Sequence, residues 1–265
     1  MSWQEVLGRV SFSNCDPIFK GLEDRWGILP APPAWLTGHV IRRDCLTAPI
    51  PSADYAEHHE KLILIPDLGI VSRGDVGSVL LFGNRPIESM RDIALPSDSS
   101  TSKKLLGWIL DGRRIDPKTI EMGPDISSML ERCDGALLIG DRALSAAARN
   151  PDLVQLDLGS EWTRITGLPM VFGVFAIRRD TPIECVRRAR DDMLEQYRKF
   201  NEDEFWRAEV IESTSLKSGL SEARVAEYFR LEVENHLDSE AVRGLELFLS
   251  EACGMVDSPE WAHLH

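Results

Sequence analysis

Short runs of apolar residues alternate with helical patterns through the first two thirds of the chain. Runs of this kind, bounded by glycine, proline or polar residues, are typical of buried strands. Helical patterns follow them near Asn14, Ser99 and Asp141, each opening with a residue type that favours a helix start. The alternation predicts an α/β fold with a mostly parallel sheet. The predicted strands are 6–12, 62–65, 70–71, 77–82, 135–140 and 170–177.

The pattern changes after Thr181, where no further strand is predicted. Apolar positions recur there at helical spacing in three segments, 183–197, 225–229 and 242–249. The Pro-rich stretch 29–33 is expected to be a loop. The C-terminal part of the chain is therefore predicted to be helical.

The strands 77–82 and 170–177 bracket a self-contained α/β stretch, which indicates that the chain crosses into a second lobe and returns. We expect residues 1–82 and 173–265 to form the first lobe, which carries the C-terminal helices, and residues 83–172 to form the second. A cleft between two such lobes is a natural site for a small molecule.

The net charge limits the possible partners, but its distribution along the chain leaves an anionic substrate possible. The 265 residues include 43 acidic and 30 basic ones, a net charge of −13, which disfavours nucleic acid and anionic membranes as partners. From Asp180 onward there are 20 acidic and 10 basic residues, whereas the preceding residues carry a net charge of only −3. The acidic excess therefore lies on the C-terminal helices, and a nearly neutral cleft is compatible with an anionic substrate.

The absence of a recognisable targeting signal and the pattern of cysteines predict a cytoplasmic protein. The N-terminus lacks the basic and apolar segments of a secretory signal, and no apolar run reaches the roughly 18–20 residues of a membrane span. Five scattered cysteines without a Cys-x-x-Cys pair are typical of reduced thiols. The sequence does not indicate the oligomeric state.

Motifs for the commoner kinds of catalysis are missing from the sequence. There is no glycine-rich phosphate loop, and the dipeptide Gly77-Ser78 lacks the following x-Gly of a nucleophile elbow. The adjacent residues His58 and His59 have no partner at zinc-ligand spacing. We therefore expect neither a cofactor nor a metal.

Uncharged polar residues at predicted helix starts are the remaining candidates for a site. Asn14 lies between a strand and a helix whose first turn contains Pro17, and Asn14 or Asp16 could cap that helix. A second cluster, Ser99, Ser100, Thr101 and Ser102, precedes the helix 103–110. Free amides at a helix start bind carboxylates without any Lys or Arg. One such residue is typical of an ordinary cap, but several hydroxyls in a row exceed what one cap requires.

Five segments stand out along the chain: 8–17 (GRVSFSNCDP), 74–82 (GDVGSVLLF), 97–102 (SDSSTS), 124–144 (ending LIGDRAL) and 157–169 (DLGSEW through TGLP). In this order they resemble motifs of the menaquinone-biosynthesis chorismate dehydratases. The resemblance runs from about residue 8 to residue 178, and the collinearity of the segments is more specific than any single one.

The resemblance implies a type II periplasmic-binding-protein-like fold without export and a chorismate dehydratase activity that forms 3-[(1-carboxyvinyl)oxy]benzoate in the futalosine route. It implies Asn14 as the central active-site side chain and Ser78 as a substrate contact. Residues 99–102 would hold a carboxylate, and Asp141 is a weaker candidate for substrate binding, since it would cap its helix in any case. The segment 43–55 departs from the family pattern, with Leu46 at an aspartate position and Pro51 at a serine position.

The sequence is also compatible with two other functions. A non-catalytic binding protein for small carboxylates on the same fold is favoured by the absence of a strong base, but the missing signal argues against transport. The sister enzyme of the pathway, a dihydroxynaphthoate synthase, is expected to need a histidine base on the second lobe. No histidine occurs between His59 and His236, which disfavours it.

Overall fold

Two β-sheet regions organise the computed structural model, which describes residues 2–264. The strands are β1 (Val6–Val10), β2 (Gly27–Ala31), β3 (Ala48–Pro51), β4 (Leu62–Ser72), β5 (Val79–Gly83), β6 (Asp92–Pro96), β7 (Lys118–Met122), β8 (Gly135–Ile139), β9 (Val154–Asp157), β10 (Met170–Arg178) and β11 (Glu234–Leu237). The α-helices are α1 (Asp16–Phe19), α2 (Pro33–Arg42), α3 (Ser52–His58), α4 (Thr101–Arg113), α5 (Ile126–Arg132), α6 (Gly140–Arg149), α7 (Leu158–Thr166), α8 (Ile183–Glu202), α9 (Glu204–Ser218), α10 (Glu222–Glu227) and α11 (Ser239–Glu251). Short 3₁₀ helices include Ser13–Cys15, and a π-helical turn spans Tyr228–Glu232.

The first lobe is built on a four-stranded sheet of order β11-β4-β10-β3 and on the parallel pair β1-β2. A bridge between Leu7 and Thr47 joins that pair to the sheet. The second lobe is built on a five-stranded sheet of order β7-β6-β8-β5-β9. The chain leaves the first sheet after β4 and returns to it as β10, so the first lobe contains strands from before and after the excursion, while all strands of the second lobe lie within it.

Strand direction differs from the prediction of a mostly parallel sheet. Every pair in the four-stranded sheet is antiparallel, and β5 runs antiparallel to both β8 and β9. Only β1-β2 and the pairs of β6 with β7 and β8 are parallel among the named strands of the described residues. The physical reason is the crossover. Strand β4 leads towards the second lobe and β10 returns from it, so these two neighbouring strands run in opposite directions.

The crossing points also differ from those expected. Strand β5 pairs only with strands of the second lobe, whereas the sequence placed residues 77–82 in the first lobe. The returning strand already pairs with β4 at Met170, before the expected boundary at 173. The chain therefore crosses at residues 73–78 and 167–169, because a strand belongs to the sheet that satisfies its backbone hydrogen bonds.

Three further expectations about local structure were wrong. Strands do not stop at Thr181, since β11 adds an edge to the four-stranded sheet. Helix α9 was not predicted, because its apolar positions do not form a clear stripe. Residues 29–31 extend β2 rather than forming a loop, and Pro33 begins α2. Proline is tolerated there because β2 is an edge strand and a first helical turn needs no donor from that position.

One apolar core continues from the first lobe into the second. Trp162 lies where they meet: its ring contacts Trp108 of α4 and Phe248 of α11, and its indole nitrogen donates to the carbonyl of Pro169 at 3.1 Å. The predicted position of the C-terminal helices is confirmed, since α8 contacts α1 and β4 while α11 contacts β10. Across residues 2–264, no helix combines the length and apolar character that crossing a bilayer requires.

Candidate functional site

A cleft lies where the two lobes meet. Strands of both sheets and the first residues of several helices form its wall. The lining residues are Val10, Phe12, Asn14, Pro33, Pro49, Ile50, Pro51, Ile70, Val76, Ser78, Val79, Ser99, Thr101, Ser102, Ile139, Gly140, Phe172 and Gly173. The wall is therefore mainly apolar, with a small number of hydroxyl and amide groups among the side chains.

Every lining residue within 2–264 is uncharged. Positive potential comes from backbone instead, because α2, α4 and α6 each present their N-terminal end to the cleft through Pro33, Thr101 and Gly140. The amides of a helix's first turn have no partner inside the helix and carry partial positive charge. The cleft can therefore bind carboxylates without a cationic side chain.

Asn14 projects from the 3₁₀ turn that follows β1, and it lines the cleft as expected. Its side-chain oxygen is buried without a hydrogen-bond partner in the protein. The backbone of the turn is held from two sides: the side-chain amide of Asn235 donates to the carbonyl of Asn14 at 3.0 Å, and the amide of Ser13 donates to Asp141 at 3.0 Å. The turn is thus fixed while the Asn14 side chain stays available.

Asp141, where the sequence expects a substrate contact, is not among the residues that line the cleft. Its two carboxylate oxygens accept hydrogen bonds from the amide and the hydroxyl of Ser13, both at 3.0 Å. Neither does it cap α6, whose cap residue is Ile139. Burial raises the pKa of Asp141 above its ordinary value, against the lowering effect of the Ser13 hydrogen bonds. Asp141 therefore joins the second lobe to the turn that carries Asn14.

Ser78 reaches the cleft from the crossing segment between β4 and β5. Its amide donates to the Val76 carbonyl at 2.6 Å, and its own carbonyl accepts from the Gly140 amide at 2.7 Å. Gly77 has a φ of +62°, a left-handed conformation that favours glycine and that turns the chain at this point. The Ser78 hydroxyl lies 3.0 Å from the hydroxyl of Tyr228, and both side chains are buried.

The hydroxyl cluster at the start of α4 divides into two groups. Ser99, Thr101 and Ser102 line the cleft; the hydroxyls of Ser99 and Ser102 lie 2.5 Å apart, and that of Thr101 accepts from the Ala53 amide at 3.1 Å. Ser100, which the sequence also expects to contact substrate, is not among the lining residues and donates to Asp54. Successive residues in the first turn point in different directions, which is why four adjacent hydroxyls cannot face one ligand.

The segment 43–55 contributes an apolar wall to the cleft. Pro49, Ile50 and Pro51 line it. Ser52 instead donates to the carbonyl of Val171 at 2.7 Å, and the Tyr55 hydroxyl accepts from the Glu260 amide at 2.9 Å. The polar side chains of Ser52 and Tyr55 therefore support the fold, and Pro51, at a position where the family resemblance expects a serine, is part of the apolar wall.

Close contact between the lobes also depends on Gly140 at the start of α6. Its φ is +62°, and a Cβ atom there would lie 2.4 Å from the Phe12 ring. Arg142, in the first turn of α6, places its guanidinium 5.4 Å from the centre of the same ring and donates to Asp98 at 2.6 Å. A glycine at 140 thus lets the second lobe approach the aromatic wall of the cleft.

Two residues behind the cleft wall were missed by the sequence reasoning. Tyr228 was assigned only to a helical core, and Asn235 lies on a strand that was not predicted. Both reach the site from the C-terminal region, about 150 and 220 positions from their partners Ser78 and Asn14. No local signal marks such contacts, since any buried tyrosine or asparagine satisfies its polar atoms somewhere.

Comparisons with known proteins agree with this architecture. A family model described as menaquinone biosynthesis matches residues 6–253. Chorismate dehydratase from Thermus thermophilus is 29% identical over 275 aligned positions, covering 96% of this chain and 97% of that protein. These matches confirm the resemblance found in the sequence.

Solved structures support the fold. A protein from Archaeoglobus fulgidus superposes with a TM-score of 0.70 at 20% identity, covering 95% of this chain and 98% of the other. The periplasmic aliphatic sulphonate binding protein from Escherichia coli superposes with a TM-score of 0.64 at 15% identity, covering 97% and 93%. At these identities the likeness concerns the fold alone, and it confirms the predicted periplasmic-binding-protein-like architecture.

Proposed function

The chain belongs to the menaquinone-biosynthesis family, and on this premise we propose that it is a chorismate dehydratase, a carbon–oxygen lyase that converts chorismate to 3-[(1-carboxyvinyl)oxy]benzoate and water. The observation that carries the proposal is the character of the cleft. It combines an apolar wall, one asparagine with an unpartnered buried oxygen, and a group of hydroxyls at a helix N-terminus. We place the enzyme in the cytoplasm, in line with the sequence.

The reaction suits a site of this kind. Loss of water removes the hydrogen at ring carbon C3 and the hydroxyl group at C4, and the electron pair of the broken C–H bond completes an aromatic ring. The proton and the hydroxide leave as water, so no oxidant or reductant is needed. Because aromaticity favours the product, the elimination needs less help from strong acids and bases than most proton abstractions.

The proton acceptor is a carboxylate of the substrate itself. Within residues 2–264 the cleft wall offers no ionisable side chain, and the nearby Asp141 and Asp54 are both engaged by hydroxyl groups away from the cleft. Positioning of a reacting group that the substrate already carries can replace much of what an enzymic base supplies. The protein's contribution is then to hold the ring and the two carboxylates in a reactive arrangement.

Each lining group has a role in that arrangement. The Asn14 amide donates a hydrogen bond to the leaving hydroxyl group. The hydroxyls of Ser99, Thr101 and Ser102, with the first amides of α4, bind one carboxylate. Phe12 and Phe172 with the proline wall enclose the ring, and the loss of water from the apolar surface favours binding.

Replacement of Asn14 tests the proposal. Asn14→Ala removes the donor to the leaving group, and loss of such a preorganised donor lowers kcat by about 100-fold or more. Chorismate is added to wild-type and variant protein, and the product is followed by aromatic absorbance and by mass. Asn84→Ala, which removes an exposed asparagine outside the cleft, is the matched control and retains wild-type turnover.

The outcomes separate the candidate functions. Aromatic product from wild-type protein, lost in Asn14→Ala, supports the dehydratase. Binding of chorismate without turnover favours a non-catalytic binding protein, and neither binding nor turnover favours the sister synthase. Near-normal turnover by Asn14→Ala would overturn the assigned role of this residue.

A further inference from the structure

Tyr228 stands directly behind the cleft wall without lining it. It begins the π-helical turn that follows α10, and only 2% of the residue is exposed. Its hydroxyl lies 3.0 Å from the Ser78 hydroxyl, which does face the cleft. A π-helical turn is rare and often occurs at a functional site, since its wider ring redirects side chains.

Hydrogen bonds hold the backbone of Ser78 in place, so only its side-chain hydroxyl is free to change orientation. The amide donates to Val76 at 2.6 Å and the carbonyl accepts from Gly140 at 2.7 Å, which leaves rotation about the side-chain bond. A free serine hydroxyl rotates among several orientations. A fixed partner behind it selects one of them and reduces the entropy lost when a ligand binds.

The direction of the hydrogen bond follows from the state of the phenol. Burial raises the pKa of Tyr228 well above its ordinary value, so the phenol stays protonated throughout the range in which enzymes work. A buried phenol needs an acceptor for its hydrogen, and the Ser78 oxygen is in place to accept it. The Ser78 hydrogen is then left to point into the cleft.

The same π-helical turn supports the segment that delivers Ser78. A Cβ atom on Gly77 would lie 2.1 Å from the carboxylate of Glu232, which shows how closely the turn approaches the crossing segment. Glu232 is held by Arg224 at 2.8 Å, and the Arg224 guanidinium also lies 6.0 Å from the Tyr228 ring. The first and last residues of the turn thus back two successive residues of the crossing segment.

We propose that Tyr228 is a positioning residue: it donates to the Ser78 oxygen and thereby orients the Ser78 hydrogen towards a carboxylate or hydroxyl group of the substrate. The inference rests on the proposed function and on the substrate contact at Ser78 that the family resemblance implies and the place of Ser78 in the cleft wall supports. Tyr228 itself does not touch the substrate. Its effect therefore passes entirely through Ser78.

A double-mutant cycle tests this dependence. Tyr228→Phe keeps the ring that fills the core and removes only the hydroxyl, and loss of one buried hydrogen bond raises KM for chorismate by roughly tenfold with kcat within about twofold. In a Ser78→Ala background the same replacement changes KM by less than about twofold, because the hydroxyl that Tyr228 orients is gone. Tyr55→Phe, which removes a hydroxyl that accepts a hydrogen bond from the Glu260 amide, is the matched control and leaves KM unchanged.

Each outcome decides the inference. Equal effects of Tyr228→Phe in both backgrounds, or no effect in the wild-type background, overturn it while the proposed function stands. Wild-type protein that neither binds nor converts chorismate overturns the proposed function, and the inference falls with it. Melting temperatures separate a folding defect from a binding one; where Tyr228→Phe melts too low, KM is measured at a temperature at which all four proteins are folded.

Discussion

The contact between Asp141 and Ser13 predicts how strongly closure of the two lobes contributes to substrate affinity. Asp141 lies in the first turn of the second lobe's helix α6, Ser13 belongs to the first lobe, and two hydrogen bonds of 3.0 Å join them. Both bonds are lost whenever the lobes separate. For a substrate that binds between closed lobes, the apparent dissociation constant equals the intrinsic constant divided by the fraction of protein molecules whose lobes are closed. Weaker closure therefore lowers the affinity for substrate.

The magnitude follows from the chemistry of the two bonds. A hydrogen bond to a charged group contributes about 1.5–3 kcal/mol. Asp141→Asn keeps one acceptor oxygen but places an amide NH₂ against the other donor, so it removes about one such bond. The expected loss is about 2 kcal/mol, which is roughly a 30-fold increase in KM when closure limits binding. Since Asn235 still holds the Asn14 carbonyl, kcat stays within about threefold of wild type.

Steady-state turnover of chorismate measures this split between KM and kcat. Ser13→Ala likewise removes one of the two bonds, the hydroxyl bond, and keeps the amide bond, so its increase in KM is of the same order, roughly 30-fold. Asp152→Asn, at an exposed position, controls for the loss of one negative charge. A lower kcat at unchanged KM in Asp141→Asn would refute the reasoning, since it would place Asp141 in the chemistry rather than in closure.

Two further predictions concern stability. Gly140→Ala places a methyl group 2.4 Å from the Phe12 ring at a φ of +62°, and calorimetry should show a loss of about 2–4 kcal/mol; an unchanged melting temperature contradicts the contact. Glu161, 5% exposed, has its pKa lowered to about 2, chiefly by the hydrogen bond from Arg164 and further by Arg113. A carboxyl group whose pKa is lower in the folded than in the unfolded protein stabilises the fold at pH values above its unfolded pKa, and this stabilisation is lost as the pH falls towards 2. We therefore expect Glu161→Gln to lower the free energy of unfolding by about 2 kcal/mol at pH 7 and by little at pH 2, as measured by urea unfolding. A pH-independent difference would contradict this origin.

Local patterns were sufficient for most of the elements that position the site. The apolar runs at β5, β8 and β10 predicted buried strands, and the residues before α4 and α6 predicted helix starts. These predictions succeed because strand burial and helix initiation depend on neighbours close in the chain. The bracketing strands predicted two lobes, and the family resemblance added the periplasmic-binding-protein-like fold and the expected central role of Asn14.

Direction and pairing were beyond such patterns. An apolar run has the same pattern in a parallel and in an antiparallel sheet. The direction of β10 and the sheet to which β5 belongs therefore became known only from the strand pairing in the structure. The short strand β11 carries no clear alternation and is stabilised by its partner β4 rather than by its own composition.

The sequence by itself determined which residue types stand at the helix starts, and only the tertiary structure decided which of them face the cleft. Asp141 and Ser100 have the composition of site residues, but one bonds Ser13 and the other Asp54. Tyr228 has the composition of a core residue, but it contacts the site through Ser78. The reason is physical: a polar side chain satisfies its hydrogen bonds with whatever group the packing of the two lobes brings near, and that group lies far away in the chain.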